Sequence, residues 1–147
     1  MNKTGIIEAI SISSKKGVPK KNISSALLIE DHGIEHDAHA GKWHRQISFL
    51  AKESIDKMRG AGLPNLRNGA FAENITTSGI IVKELKIGDR LKVGNDAEVE
   101  ITQIGKVCHT KCAIFYTVGT CVMPDEGVFG RVIKQGTINV NDKIKLL

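Results

Sequence analysis

A regular alternation of apolar and polar residues in the second half of the chain most constrains its fold. The segments 86–93 and 97–104 alternate at every second position, which is the period of a strand with one buried face. The residues Gly-Asn-Asp at 94–96 separate the two segments, so the region predicts a β-hairpin. The segment 86–93 also resembles 139–146, because in each an apolar residue precedes a Gly-Asp or Asn-Asp turn and an alternating strand.

The first half of the chain predicts further short strands. Residues 5–13 are rich in β-branched side chains, and 25–29 and 46–50 are short apolar runs, so each segment predicts a strand. The polar, Gly-containing residues 30–44 predict a loop. Many short strands with little helix predict a mainly β fold, a closed or half-closed barrel that leaves few exposed strand edges.

One helix is predicted, at residues 51–61. Apolar residues spaced by four and three, among them Ile55 and Met58, would share one helix face. Ser48 is the candidate for the N-cap region, and Gly60 provides a stop.

Length, composition and charge narrow the class of protein. The chain has 147 residues and no Pro/Gly/Ser-rich linker, so residues 1–147 are expected to form one domain. Neither a bilayer-spanning apolar run nor a secretory h-region is present, so we expect a cytoplasmic protein. The net charge of +5 favours anionic partners, whereas the low aromatic content of 4% argues against binding of single-stranded nucleic acid.

Three clustered cysteines form the first candidate site. An odd number of cysteines in an intracellular chain is a poor disulfide framework. Positive charge stabilises a thiolate, and cations surround Cys108 and Cys112, which favours an activated thiol. These cations are Lys106, His109 and Lys111. A small buried hydrophobe is the alternative, and a zinc site would need Cys121 or histidines because no second cysteine pair is present.

Three further segments carry polar groups suited to a site. Residues 32–45 contain four histidines that could bind a transition metal or supply a general base, although a solvated polar loop is the alternative. Residues 69–77 are dense in hydrogen-bonding side chains and could bind a polar ligand or form a simple turn. The lysine-rich turn 15–21 could clamp a phosphate, or could be a solvated charged turn.

Four stretches, in this order along the chain, resemble the domain found at the C-terminus of molybdenum-cofactor sulfurases, the MOSC domain. The stretches are 16–20; 33–41 with 45–48; 69–76; and 102–112 with 123–129. The resemblance implies a stand-alone single-domain member, a MOSC-type β-barrel with one or two short helices, and a role around the molybdenum cofactor (molybdopterin).

The resemblance also implies roles for particular residues. In family members with redox activity a cysteine binds molybdenum, and in sulfurases the domain is thought to carry sulfur as a persulfide. Cys112 and Cys108 match the cysteine motif, and Cys112 is favoured as the molybdenum ligand. The residues expected to bind the cofactor are Lys16, Lys20, Asp37, His39, Arg45, Glu73, Asn74 and Arg131. The family commonly has Gly where this chain has His36, so the local backbone or the pocket could differ.

The leading hypothesis is therefore a protein that binds the molybdenum cofactor or a precursor, or that carries sulfur to it. The 147 residues cannot contain the pyridoxal-phosphate domain of a complete sulfurase. We therefore expect a separate sulfur donor, such as a cysteine desulfurase, and a molybdoenzyme acceptor. One alternative is a small molybdenum-dependent reductase of N-hydroxylated compounds, and an alternative of another class is a basic barrel that binds RNA.

Overall fold

The computed structural model describes residues 3–105, 119 and 121–147. Strands dominate the described residues, together with two short α-helices and one 3₁₀ helix. The strands are β1 (Thr4–Ile12), β2 (Lys21–Ile23), β3 (Ser25–Ile29), β4 (Gly33–Ile34), β5 (Ile47–Ala51), β6 (Ile75–Ser78), β7 (Arg90–Val93), β8 (Ala97–Ile104), β9 (Val128–Lys134), β10 (Gly136–Asn139) and β11 (Lys143–Leu146). The helices are α1 (Lys52–Gly60), a 3₁₀ helix (Val82–Glu84) and α2 (Met123–Glu126).

The largest sheet closes on itself as a barrel. Its strand order is β11-β7-β8-β9-β5-β6-β1, and β11 pairs in turn with β1. These neighbours are antiparallel except for β5 and β6, which are parallel. β2 extends the sheet beyond β1, and β10, β3 and β4 form a second, three-stranded sheet. The mainly β barrel expected from the sequence is thus confirmed.

The core lies inside the barrel and consists of Phe49 and otherwise aliphatic side chains, to which every barrel strand contributes. In β1 the alternation of apolar residues is interrupted, and the pairing with β6 explains why. Ile7 pairs with Thr77 and Ala9 with Thr76, so Glu8 is an extra, bulged residue. Because the bulge shifts the alternation by one residue, Ile7 and Ile10 both face the core. Ala9 is buried as well but is not part of the core cluster. A second, smaller cluster forms where α1 and α2 cover the barrel.

The two similar segments found in the sequence are adjacent in the fold, since β7 pairs antiparallel with β11. The strand predicted at 86–93 begins only at Arg90, because the residues before it form the turn. In that turn the Asp89 carboxylate accepts a hydrogen bond from the Lys86 amide at 2.8 Å. The Asp142 carboxylate accepts one from the Asn139 amide at 2.9 Å in the matching position. The sequence similarity therefore reflects the same Asp-stabilised turn used twice.

The helix was predicted in the right place, but its expected N-cap was wrong. The residue at the N-cap is Ala51, which makes no side-chain capping bond. Ser48 lies within β5, where its amide donates to Asn74 Oδ1 at 2.9 Å. The reason is that β5 continues directly into α1, so no loop residue is left to serve as a cap.

The loop prediction for 30–44 also needs a correction, because β4 lies within it and pairs with β3.

Among the described residues no helix has the length and apolar character that crossing a bilayer would demand.

His36, at the position where the MOSC domain that the sequence resembles commonly has glycine, has a backbone φ of +72°. This left-handed conformation costs an L-residue about 1–2 kcal/mol, whereas glycine adopts it freely and gives up about 0.5–1 kcal/mol in chain entropy. The side chain of His36 is 81% exposed, so little packing is lost on its removal. We therefore expect His36→Gly to raise the free energy of unfolding by up to about 1 kcal/mol, measured by urea denaturation. His36→Ala, which keeps the strain, is the matched control, and a glycine variant no more stable than this control would contradict the prediction.

Candidate functional site

Residues from separate parts of the sequence meet at one rim of the barrel. Ser13 directly follows β1, Lys20 directly precedes β2, Arg45 lies just before β5 and Asn74 directly precedes β6. β1 is antiparallel to β2 and β6, and β5 is parallel to β6. The end of β1 and the beginnings of the other three strands therefore lie at the same rim, so the closed barrel brings these residues together.

Lys20 is the most unexpected residue of this rim, because its side chain is completely buried. Its Nζ atom lies 2.7 Å from Asp37 Oδ1, 3.1 Å from Ser13 Oγ and 3.0 Å from His39 Nδ1. Burial lowers the pKa of Lys20, and the hydrogen bond and negative charge of Asp37 oppose that shift. Of the lysines in the turn 15–21, Lys20 is thus neither solvated nor placed as a surface phosphate clamp. We call Ser13, Lys20, Asp37 and His39 the Lys20 network.

Asp37 organises the backbone around the Lys20 network. Its Oδ1 also accepts a hydrogen bond from the Ser13 amide at 3.1 Å, and its Oδ2 accepts one from the His39 amide at 3.1 Å. With the Lys20 ammonium these amides give the buried carboxylate three donors, which a buried charge requires. Asp37 therefore joins the end of β1, the start of β2 and the turn at 37–39.

A cluster of cations surrounds the only tryptophan of the chain, next to the Lys20 network. Lys16 Nζ lies 4.4 Å from the centre of the Trp43 ring, and Arg45 Cζ lies 4.7 Å from it. The His39 ring is parallel to the Trp43 ring within 3°, and Trp43 Nε1 donates to the His39 carbonyl at 2.7 Å. Contact with the ring stabilises both cations. We call Lys16, Trp43 and Arg45 the cation–tryptophan cluster.

Arg45 supplies a buried donor to this cluster. Its Nε atom is buried and has no hydrogen-bond partner within the described part of the chain. Its guanidinium group also lies 5.7 Å from the Phe129 ring in β9, the strand that pairs with β5. A buried N–H group without an acceptor costs free energy, so an anion with acceptor oxygens would be stabilised here.

Glu73 and Asn74 are completely buried, and their side chains bind the protein's own chain. Glu73 accepts hydrogen bonds from the Gly69 and Phe71 amides at 2.7 and 3.2 Å and from the Thr76 hydroxyl at 2.8 Å. Burial raises the pKa of Glu73, and these hydrogen bonds oppose the shift.

Asn74 accepts from Ser48 and donates to the Ser11 carbonyl at 3.1 Å. Glu73 and Asn74 thus fix the loop that enters β6 and thereby the backbone of the rim.

The remaining predicted residues lie away from these contacts or outside the described chain. Arg131 is 44% exposed, and its Nε lies 3.8 Å from Asp31 Oδ1. Over residues 3–105, 119 and 121–147 no three His, Cys, Asp or Glu side chains come together as metal ligands. Cys108 and Cys112, with Lys106, His109 and Lys111, lie outside the described residues. Cys121 is half-buried and packs against the second apolar cluster.

The chain on both sides of the cysteine segment is tied to the rim. Gly105, which directly follows β8, donates its amide hydrogen to the Gly127 carbonyl at 2.7 Å. Gln103 donates to the Gly105 carbonyl at 2.7 Å and lies 3.0 Å from His44 Nε2 through its own Oε1. His44 in turn makes an edge-to-face contact with Trp43. The residues flanking the cysteine segment are therefore linked by direct contacts to the cation–tryptophan cluster.

Glu126 fixes α2, the helix that follows the cysteine segment. Its Oε1 accepts a hydrogen bond from Ser54 in α1 at 2.7 Å, and its Oε2 contacts Lys57. Lys83 of the 3₁₀ helix lies 3.6 Å from Oε1. Burial alone would raise the pKa of Glu126, but the hydrogen bonds from Lys57 and Ser54 outweigh it and the pKa lies below its usual value.

Two residues of the site were missed by the sequence reasoning. Ser13 carries no signal in the sequence that would distinguish it from other turn residues. Trp43 does carry one, because it is the only tryptophan and stands among His39, His44 and Arg45. A lone indole with several cations nearby predicts a cation–π contact.

Comparison with known proteins agrees with the fold. The sequence matches the family model of the MOSC domain over residues 36–145. The crystal structure of the YuaD protein from Bacillus subtilis is similar with a TM-score of 0.80 at 18% identity, over 97% of this chain and 95% of that chain. YiiM from Geobacillus stearothermophilus gives a TM-score of 0.74 at 20% identity, over 97% and 75%. YiiM from Escherichia coli gives 0.69 at 16% identity, over 97% and 69%. No curated protein matches the sequence significantly.

The contacts of Glu126 predict an acid-dependent contribution to stability. The folded-state pKa lies below the usual value of 4.5, so the contribution is complete above that pH and is lost as pH falls through the folded-state pKa. We expect Glu126→Gln to lower the free energy of unfolding by about 1 kcal/mol near pH 7, because it removes the ion pairs and keeps the shape. The difference from the wild type should shrink as the pH falls below about 4.5.

Chemical denaturation at a series of pH values measures this difference. Glu84→Gln, at an exposed position of the 3₁₀ helix, is the matched control and should leave the curve unchanged. A Glu126→Gln deficit that stays constant down to pH 3 would show that the carboxylate charge is not involved.

Proposed function

The chain belongs to the MOSC domain family, and on this premise we propose that it binds the molybdenum cofactor or a precursor and carries sulfur to it through Cys112 or Cys108. The MOSC domain is associated with molybdenum-cofactor binding and sulfur handling. The single observation that best supports the proposal in this chain is the buried Arg45 Nε without a partner among the described residues, in a cluster of cations at the rim.

The groups at the rim fit the cofactor's anionic end. Molybdopterin carries a phosphate, whose oxygens are acceptors only, and Arg45 and Lys16 offer donors and positive charge. Both cations contact the flat indole of Trp43, at 4.4 and 4.7 Å from its centre. Lys16 and Arg45 would therefore contact the phosphate, and His39 lies beside them. When bound, the cofactor would supply a metal centre that accepts soft sulfur ligands.

Other predicted binding residues would act by holding this surface in shape. Lys20 and Asp37 fix the turn that carries His39, and Glu73 and Asn74 fix the loop that enters β6. Their buried side chains bind the protein's own backbone, so a ligand would meet the surface they position. Arg131 stays a prediction from the family resemblance.

The sulfur-carrying role falls to the cysteine segment. A thiolate of Cys112 attacks the outer sulfur of a donor persulfide, forming Cys–S–SH and releasing the donor as its thiolate (R–S–SH + Cys–S⁻ gives R–S⁻ + Cys–S–SH). Low thiol pKa favours this reaction, and Lys106, His109 and Lys111 supply positive charge nearby in the sequence. A cysteine desulfurase is the proposed donor and a molybdoenzyme the proposed acceptor.

The anion contact is tested by Arg45→Met, which keeps a long side chain and removes the charge. Loss of a charge-assisted hydrogen bond of about 1.5–3 kcal/mol predicts that molybdopterin binds at least about tenfold more weakly. Fluorescence of the pterin during titration measures the dissociation constant. Lys42→Met, which removes an exposed cation three residues away, is the matched control. Equal affinity of the Arg45→Met variant and the wild type would contradict the assigned phosphate contact.

The sulfur-carrying role is tested by intact mass after incubation with a persulfide donor. We expect the wild type to gain one sulfur atom and Cys112→Ser to lose that gain, because serine cannot form a persulfide. Cys108→Ser measures how much of the mass gain depends on Cys108. Cys121→Ser is the control because Cys121 packs against the apolar cluster. No mass gain in the wild type, together with no retained molybdopterin, would overturn the proposal.

A further inference from the structure

The Lys20 network determines which nitrogen of His39 carries a proton. A lysine ammonium has three N–H donors and no acceptor. Three acceptor positions lie within hydrogen-bond distance of Lys20 Nζ, namely Asp37 Oδ1 at 2.7 Å, His39 Nδ1 at 3.0 Å and Ser13 Oγ at 3.1 Å. The three N–H donors of Lys20 therefore match the three acceptor atoms in number.

The direction of each hydrogen bond follows from the neighbours. The Ser13 hydroxyl proton is used, since Ser13 Oγ donates to the Lys15 carbonyl at 2.8 Å, so its oxygen accepts from Lys20. The Asp37 carboxylate also accepts amide hydrogen bonds from Ser13 and His39, as expected for an ionised group. The third proton of Lys20 then points to His39 Nδ1, which must accept.

A neutral Lys20 would reverse the bond to His39, and the charges around it argue against that state. Burial lowers the pKa of Lys20, but the Asp37 carboxylate at 2.7 Å and the negative charge of Glu73 both favour the ammonium. A neutral amine would leave the buried Asp37 carboxylate without a countercharge, which is strongly unfavourable away from water. The ammonium form supplies one proton to each of the three acceptors around Lys20.

We propose that Lys20 is a positioning residue that holds His39 as the neutral tautomer protonated at Nε2, so that His39 serves the rim as a hydrogen-bond donor. An imidazole whose Nδ1 accepts from an ammonium cannot also be protonated there, and its remaining nitrogen carries the proton. His39 then acts neither as a general base nor as a metal ligand through either nitrogen.

The donor role complements the cation–tryptophan cluster. The Trp43 indole is parallel to the imidazole and donates to the His39 carbonyl, so both ring plane and backbone of His39 are fixed. A neutral donor next to Lys16 and Arg45 suits a ligand oxygen that bears partial negative charge, such as a phosphate oxygen. The tautomer assignment stands on the network alone, whereas this ligand assignment rests on the proposed function.

Long-range ¹H–¹⁵N correlation spectra of the ligand-free protein near pH 7 test the tautomer, with His39→Ala used to assign the signals. We expect a protonated Nε2 and an unprotonated Nδ1 for His39. Protonation at Nδ1, alone or together with Nε2, would overturn the inference. Lysine-selective ¹⁵N spectra give an independent check, because a neutral Lys20 amine would also overturn it.

The variant Lys20→Met tests whether Lys20 sets the tautomer of His39. Without the ammonium, His39 Nδ1 can donate to Asp37 Oδ2, which lies 3.8 Å away, so we expect the Nδ1-protonated tautomer to appear. Lys21→Met removes an exposed lysine at the start of β2 and should leave His39 unchanged. A folded Lys20→Met protein with an unchanged His39 pattern would overturn the positioning role. Should that variant fail to fold, the wild-type spectra still test the inference, because they report both the tautomer of His39 and the charge of Lys20.

Inorganic phosphate is the probe for the donor role. We expect its addition to move the His39 Nε2–H signal of the wild type and to move it much less in Arg45→Met. A His39 signal that phosphate leaves unmoved overturns the donor role.

The two proposals remain distinguishable: molybdopterin retention with an Nδ1-protonated His39 overturns only this inference. An Nε2-protonated His39 without molybdopterin retention or sulfur gain overturns the proposed function and leaves the tautomer assignment standing.

Discussion

The ion pair between Lys20 and Asp37, both shielded from water, is the interaction on which the rim depends. Removing two charges from water costs several kcal/mol for each ion, and a pair of well-packed apolar side chains would often be as stable. The pair gives the rim defined directions instead. Asp37 receives backbone amides from both sides, and Lys20 directs its protons to fixed acceptors. An apolar pair could fill the same volume without setting the backbone of the turn at 37–39.

The fold was largely predictable because short strands with one buried face leave a clear pattern in the sequence. The strands predicted at 25–29 and 97–104 have the bounds found in the structure. Errors occurred where a tertiary contact overrides local preference. Ser48 has the chemistry of a helix cap, yet it hydrogen-bonds Asn74 across the barrel because β5 runs straight into α1. The bulge at Glu8 equally depends on the partner strand.

The sequence indicated several of the residues that meet at the rim, but not the contacts that each of them makes there. Arg45, His39 and Asp37 were expected at the site, and the structure brings His39 and Asp37 into one network with Arg45 beside it. Lys20 belongs to a run of lysines around Gly17, and nothing in that run shows which lysine turns inward. Its burial depends on acceptors from Ser13, at the end of β1, and from Asp37 and His39 in the turn that is hydrogen-bonded to Ser13. A role that needs several distant acceptors cannot be read from a local segment.

The barrel closes where β1, the first strand in the sequence, pairs with β11, the last, and this limits the order in which the protein can fold. β11 pairs with β7 on one side and with β1 on the other, so that Thr4 lies opposite Lys145. Contacts between residues so distant in sequence form slowly, because a large loop must close before they stabilise anything. During synthesis one edge of β1 therefore stays unpaired until the final strand is made. A nascent chain paused before that point exposes an open strand edge, and chaperone access to that edge would govern the yield of folded protein.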